Sequence, residues 1–126
     1  MSFAFDPSAP IILVRAALTG PSGTHDISLA LDTGATTTLI NTAHLVLAGF
    51  NPSSASIVPI TIASGIHYVP KLPVTSLEAL GTKRSNFSVL AVPLPPTAGI
   101  DGLLGLDFLR GKHLTIDFNR GTIDLR

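Results

Sequence analysis

"LALDTGATTTLIN", Leu29 to Asn41, is the stretch that decides how the chain is read. It continues an alternation that begins at Asp26. Ile27, Leu29 and Leu31 fall on one face, and Ser28, Ala30 and Asp32 on the other. That period of two marks a half-buried strand. Asp32 ends the strand, and Thr33-Gly34 follow at once. A carboxylate in such a place is costly unless it is hydrogen-bonded, paired or neutralised. Gly34 permits a tight turn, and the Thr33 hydroxyl can donate and accept. Two readings stand open here. Asp32 either caps its own turn as a local structural device or is an acid set up for chemistry.

The chain around it has 126 residues, enough for one domain with a real core. Apolar residues make up 45% and charged residues 13%, a globular and not a disordered composition. Eight basic and eight acidic residues cancel, so there is no basic footprint for nucleic acid and no polybasic membrane anchor. So low a charge favours self-association. The absence of cysteine excludes disulfides, thiolate catalysis and cysteine zinc sites. The longest apolar runs, such as "PIILV", are far below a membrane span. "MSFAFDPSAP" lacks the basic and apolar regions of a secretory signal, so a cytoplasmic location is expected, although the chain could be a domain of a longer, anchored protein.

Ten prolines and eleven glycines leave short windows rich in Val, Ile, Leu and Thr, which predicts an all-β domain. Strands are expected at 10–20 and 26–32, joined by the "GPSGTH" turn, and at 36–40. A short helix is expected over 41–49, with Asn41 or Thr42 as N-cap and Gly49 just past its end. Residues 56–77 predict a long hairpin with Ser64-Gly65 at its tip. Pro59, Pro70 and Pro73 place that arm at an edge or in a projecting ribbon. A strand over 85–94 and a loop over 95–100 follow, then a one- or two-turn helix at 106–110. Two final strands flank an Asn119-Arg120-Gly121 turn, with Leu114, Ile116 and Phe118 directed inward.

"LALDTGATTTLI" followed by "GLLGLDFL" from Gly102 resembles the retropepsin-like aspartic proteases, the single-domain, homodimeric branch of the pepsin clan. The ending "LLGLDFL…LTIDF…GTIDL" is most similar to bacterial members. The likeness spans residues 10–126, leaving 1–9 as an N-terminal segment. It implies a closed β-barrel of the acid protease type, with a flap hairpin and one or two short helices. It implies Asp32 as the catalytic carboxylate, with Thr33, Gly34 and Ala35 forming the active-site loop and Thr33 bonding across to a partner's loop. The hairpin at 57–72 becomes the flap, with Ala63, Ser64, Gly65 and Ile66 near its tip over the substrate. Leu103, Leu104 and Gly105 become the second motif, passing beside the active-site loop. Here Thr36 and Thr37 follow the first motif, and the flap offers only Gly65, whereas viral flaps are glycine-rich. Viral dimers interleave their termini, a role "GTIDLR" could take.

Hydrolysis by carboxylates needs one group to take a proton from water and another to give one to the carbonyl oxygen. Two carboxyls about 3 Å apart share a proton and split those roles. This chain has a single Asp-Thr-Gly and no room for a second lobe, so the other Asp32 must come from an identical subunit across a two-fold axis. The resulting enzyme would cleave extended peptides, depend on concentration and work best in acid, with no metal or cofactor. A catalytically silent retropepsin-like domain for peptide binding or dimerisation is the alternative. A plain β-barrel interaction module with an accidental Asp-Thr-Gly is a third reading.

Other candidates are weaker. His25, His44, His67 and His113 show no metal-ligand spacing and read as surface or turn residues. Asp101 and Asp107 read as cap or loop carboxylates. Asp117 and Asp124 read as solvated, and Tyr68 as a cross-strand contact or a cleft residue. "NFS" at 86–88 fits a glycosylation sequon, discounted without a signal peptide.

Overall fold

A computed structural model describes residues 1–126. The extended windows become ten strands: β1 (Ser2–Ala4), β2 (Leu13–Gly20), β3 (Gly23–Leu31), β4 (Leu39–Asn41), β5 (Ser56–Ile62), β6 (Gly65–Ala79), β7 (Thr82–Val92), β8 (Gly102–Leu104), β9 (Leu114–Asp117) and β10 (Thr122–Leu125). Two short helices join them, α1 (Thr42–Leu47) and α2 (Leu106–Leu109). β2, β3, β8, β4, β7 and β6 neighbour one another in that order, and β6 also pairs with β2. The six strands therefore close into a barrel, which removes the open edges a flat sheet would leave. The all-β fold with a closed barrel, a hairpin arm and two short helices is the expected one.

β8 is the keystone of the ring. It runs parallel to β3, with Leu31 opposite Leu104, and antiparallel to β4, with Leu39 opposite Leu103. A segment from late in the chain is thus threaded between two early strands on either side of the Asp32 turn. Strand alternation then sorts the side chains. Leu18, Ile27, Leu29, Ile40, Leu77, Val89, Leu104 and Phe108 enter the core and are fully buried. Ala30, Leu39, Leu90 and Leu103, one residue out of phase, line the opposite face.

α1 starts where the sequence predicts. The Asn41 side chain accepts from the Ala43 N–H as N-cap. Gly49 sits at φ +99, while its N–H donates to Val46 O and the Phe50 N–H to Leu45 O. Those two bonds are a Schellman ending, which needs a residue tolerant of positive φ.

The hairpin of β5 and β6 turns through Ala63-Ser64, with Ile62 paired to Gly65. Over Gly65 to Pro70, β6 pairs only with β5, so this part projects as a ribbon. Pro73 lies further in, opposite Ser88 of β7. On its other side the pairing with β5 has ended at Lys71 and the pairing with β2 begins at Ser76. The prolines are accommodated because each meets at least one unpaired side.

Several expectations change. The first strand begins at Leu13, and the expected strand at 36–40 contracts to Leu39–Asn41, because Thr36 to Thr38 bend to follow the Asp32 turn. Residues 2–4 form β1, which pairs with β10, and β10 pairs with β9 on its other side. The C-terminal strand "TIDL" therefore has no open edge; the open edges of this small sheet are β1 and β9. Phe118 is not inward but 61% exposed, edge-on to Phe5, because the chain leaves β9 for the turn at Asp117. Asp124 is not free in solvent. It binds the Met1 amino group at 3.3 Å and Arg126 Nε at 3.0 Å. Asp117 accepts from the N–H groups of Asn119 and Arg120 and so shapes that turn. His44 is half-buried and paired to Asp101, not a free surface residue.

Candidate active site

Asp32 stands one residue beyond β3. Its N–H donates to Leu104 O at 3.0 Å, which fixes the turn to the threaded strand β8. Its Oδ1 accepts from the Gly34 N–H at 2.9 Å, and its own carbonyl accepts from the Ala35 N–H at 3.2 Å. The local reading of the sequence is therefore correct as far as it goes: Asp32 does cap its own turn. That occupies one carboxylate oxygen and leaves Oδ2 without a partner in the chain. Thr33 is exposed, and its hydroxyl likewise makes no bond within the chain.

The second motif holds this turn from behind. The Leu106 N–H donates to Ala35 O at 2.8 Å. Gly105 packs so closely on the loop that a Cβ there would lie 2.9 Å from Ala35 O and 3.0 Å from the Thr37 carbonyl carbon. Only glycine fits. The Gly105 N–H donates to the hydroxyl of the buried Thr38, which donates in turn to Asp107 Oδ1 at 2.7 Å. Asp107 also accepts from the backbone N–H groups of Thr38 and Phe108. Arg84 completes the support by donating to the carbonyls of Phe108 and Arg110 at the end of α2. Phe108 anchors α2 in the core, edge-on to Phe87 with ring centroids 5.8 Å apart.

Two depressions meet at Leu103. One, a cleft of about 640 Å³, has the loop residues Gly34 to Thr37 below and Val58 to Ile62 of the hairpin above, with Leu39, Leu90 and Lys71 along its wall. The other, of about 600 Å³, is lined by Ile11, Ile12, Leu31, Asp32, Leu103 and Phe118 among others. Asp32 thus faces a strongly apolar surface on one side of Leu103, and the hairpin roofs a groove on the other. At the hairpin tip Ala63, Ser64, Gly65 and Ile66 are all exposed, and Ser64 Oγ meets His67 Nε2 at 3.0 Å. No three His, Asp or Glu side chains converge as a metal site would require.

A sequence model of the family described as aspartyl protease matches residues 14–108. The chain belongs to the aspartyl protease family. Among solved structures, a retropepsin-like aspartic protease from Rickettsia conorii is similar, with a TM-score of 0.71 over 99% of this chain and 88% of that one. The two are 17% identical, so this likeness concerns the retropepsin-like fold alone. No curated protein matches the chain.

Within this aspartyl protease fold, the sequence located the Asp-Thr-Gly turn, the hairpin and the Leu-Leu-Gly segment. The structure brings the first and third into direct contact and sets the hairpin strand β5 across the cleft. Thr38, Arg84 and the bridging role of Asp107 were missed. The sequence reads Asp107 as a cap or loop carboxylate, but it lies inside the first turn of α2, whose N-cap is Gly105 without a side-chain bond; its partner Thr38 lies far away in sequence and carries no local signature. Asp101 is similar: its Oδ2 accepts from the Ser28 N–H and its Oδ1 meets His44 Nε2 at 3.0 Å, tying β3 and α1 to the segment that enters β8.

Proposed function

We propose that the chain is an aspartic endopeptidase active as a homodimer, in which two Asp32 carboxyls share a proton and activate water between them. The observation that carries this is the state of Asp32: Oδ1 is held by the Gly34 N–H, Oδ2 is unpartnered, and the turn is braced by β8 beside a roofed groove. A carboxylate so fixed is oriented for reaction, yet alone it cannot both remove and supply a proton. The second acid comes from an identical chain, and a two-fold contact brings the same residue from each. Thr33, exposed and unbonded, stands ready to bind across that axis. The exposed Ile11 and Phe118 share a depression with Asp32 and supply apolar surface for the contact.

The peptide substrate lies extended between loop 34–37 and the hairpin. β5 is paired on one side only, so backbone groups on its free edge can hydrogen-bond a peptide main chain that crosses beneath the hairpin. Apolar walls choose the side chains. One proton must stay on the acid pair, so the rate falls both when the pair loses it and when a second proton arrives.

Incubation with a peptide library across a range of pH, beside Asp32→Asn, tests this. Cleavage by the unaltered protein and none by the variant is expected. Cleavage by both, or by neither, counts against it. Peptide binding without cleavage would point to the silent binding domain instead.

A further inference from the structure

We infer that Lys71 selects peptides bearing an acidic side chain a few residues from the scissile bond. This rests on the peptidase reading above and narrows it to a substrate class.

The placement follows from strand register. Lys71 of β6 is opposite Leu90 of β7. Leu90 is opposite Leu39 of β4, and Leu39 is opposite Leu103 of β8. Registered partners carry their side chains to one face, so these four residues form a single row across four strands. Leu103 in turn is opposite Ala30, whose side chain shares a strand face with Asp32. The row therefore starts beside the catalytic turn, runs over three leucines and ends on an ammonium group.

Lys71 is the only charged residue lining the hairpin-roofed cleft. It is exposed, and it joins none of the ion pairs of the chain, which are Met1 and Arg126 to Asp124, His44 to Asp101, and Arg120 to Asp117. A lone cation at the end of an apolar wall has no partner until a ligand supplies one. Low-dielectric walls focus its field into the groove. It attracts a carboxylate and rejects a lysine or arginine at the same subsite, so selection works by repulsion as well as attraction. Leu103 and Lys71 are three strand spacings apart, about 14 Å. An extended peptide advances about 3.3 Å per residue. The acidic residue therefore falls within about four residues of the bond cut.

The test uses the full chain at low salt. Cut sites in a proteome-derived peptide mixture are mapped by mass spectrometry. One good substrate is then made with Glu, Gln or Lys at the position picked out. In parallel, binding of the same peptides to Asp32→Asn is measured. Acidic residues should be enriched at one position, and Glu→Gln in the peptide should lower kcat/KM roughly threefold, mostly through KM, as suits a partly exposed pair. The effect should shrink as salt rises. Lys71→Glu should shift the preference to Lys at that position, and Lys71→Met should erase it. Cleavage without charge preference, or a preference that survives both variants, overturns the assignment to Lys71. Charge-selective binding with no cleavage overturns the peptidase reading and leaves the assignment of Lys71 standing.

Discussion

Thr38 and Asp107 are 69 residues apart in sequence and form one clamp. The Thr38 N–H lies 2.9 Å and 3.0 Å from the two carboxylate oxygens, and its hydroxyl 2.7 Å from the first. That clamp ties the end of the loop after Asp32 to the start of α2. Together with the Leu106 N–H to Ala35 O bond, it lets a helix far along the chain brace the loop that follows Asp32.

Asp107→Ala leaves the buried Thr38 hydroxyl and N–H without their acceptor. The expected loss is about 1–3 kcal/mol of stability, read as a lowered urea midpoint. Peptidase activity should fall further than the unfolded fraction explains, because the loop loosens. Asp107→Asn keeps one acceptor oxygen and should recover part of both.

Gly105→Ala places a methyl group against Ala35 O and the Thr37 carbonyl carbon. The loop must shift, at a cost of about 1–3 kcal/mol. The variant should fold, as circular dichroism would show, and be nearly inactive. Full activity in this variant would mean that the close packing of the two motifs does not matter.

Phe108→Ala removes the fully buried ring that anchors α2. A loss of about 3–5 kcal/mol is expected, measured by thermal or urea unfolding. Lys112→Ala, an exposed change beyond the same helix, should be within about 0.5 kcal/mol of the unaltered chain.

Each subunit supplies half of the proposed acid pair, so activity per chain should rise with concentration as dimers form. Equimolar mixing of unaltered and Asp32→Asn chains, with free exchange, should leave about a quarter of the activity of an undiluted sample at the same total concentration, since only one pairing in four holds both acids. Retention of half would mean that single chains act alone.

The fold was legible where local chemistry dictates geometry. Alternation placed Ile27 and Leu29 inside and Ala30 and Asp32 on the far face; Asn41 and Gly49 bounded α1; Pro59 and Pro70 lie in the projecting part of the hairpin, whereas Pro73 lies within the barrel, opposite Ser88. Illegible features depended on distant partners. β1 was invisible because a three-residue strand has no period of its own and exists only against β10. Thr38, Arg84 and the His44–Asp101 pair acquire their roles from segments brought close by the threading of β8. Phe118 followed the alternation of β9 on paper, but the turn begun by Asp117 rotates it out. At the site, the Asp-Thr-Gly turn and the Leu-Leu-Gly segment were readable as motifs. The row ending on Lys71 was not, since it exists only in the register of four strands.

The separation of the two Asp32 carboxyls in a crystal of the assembled protein is the most direct measurement. The account predicts a two-fold dimer with the carboxyl groups about 3 Å apart and a Thr33 hydroxyl bonded across the axis. Carboxyls far apart in every assembly, with a peptidase still active in that form, would contradict it.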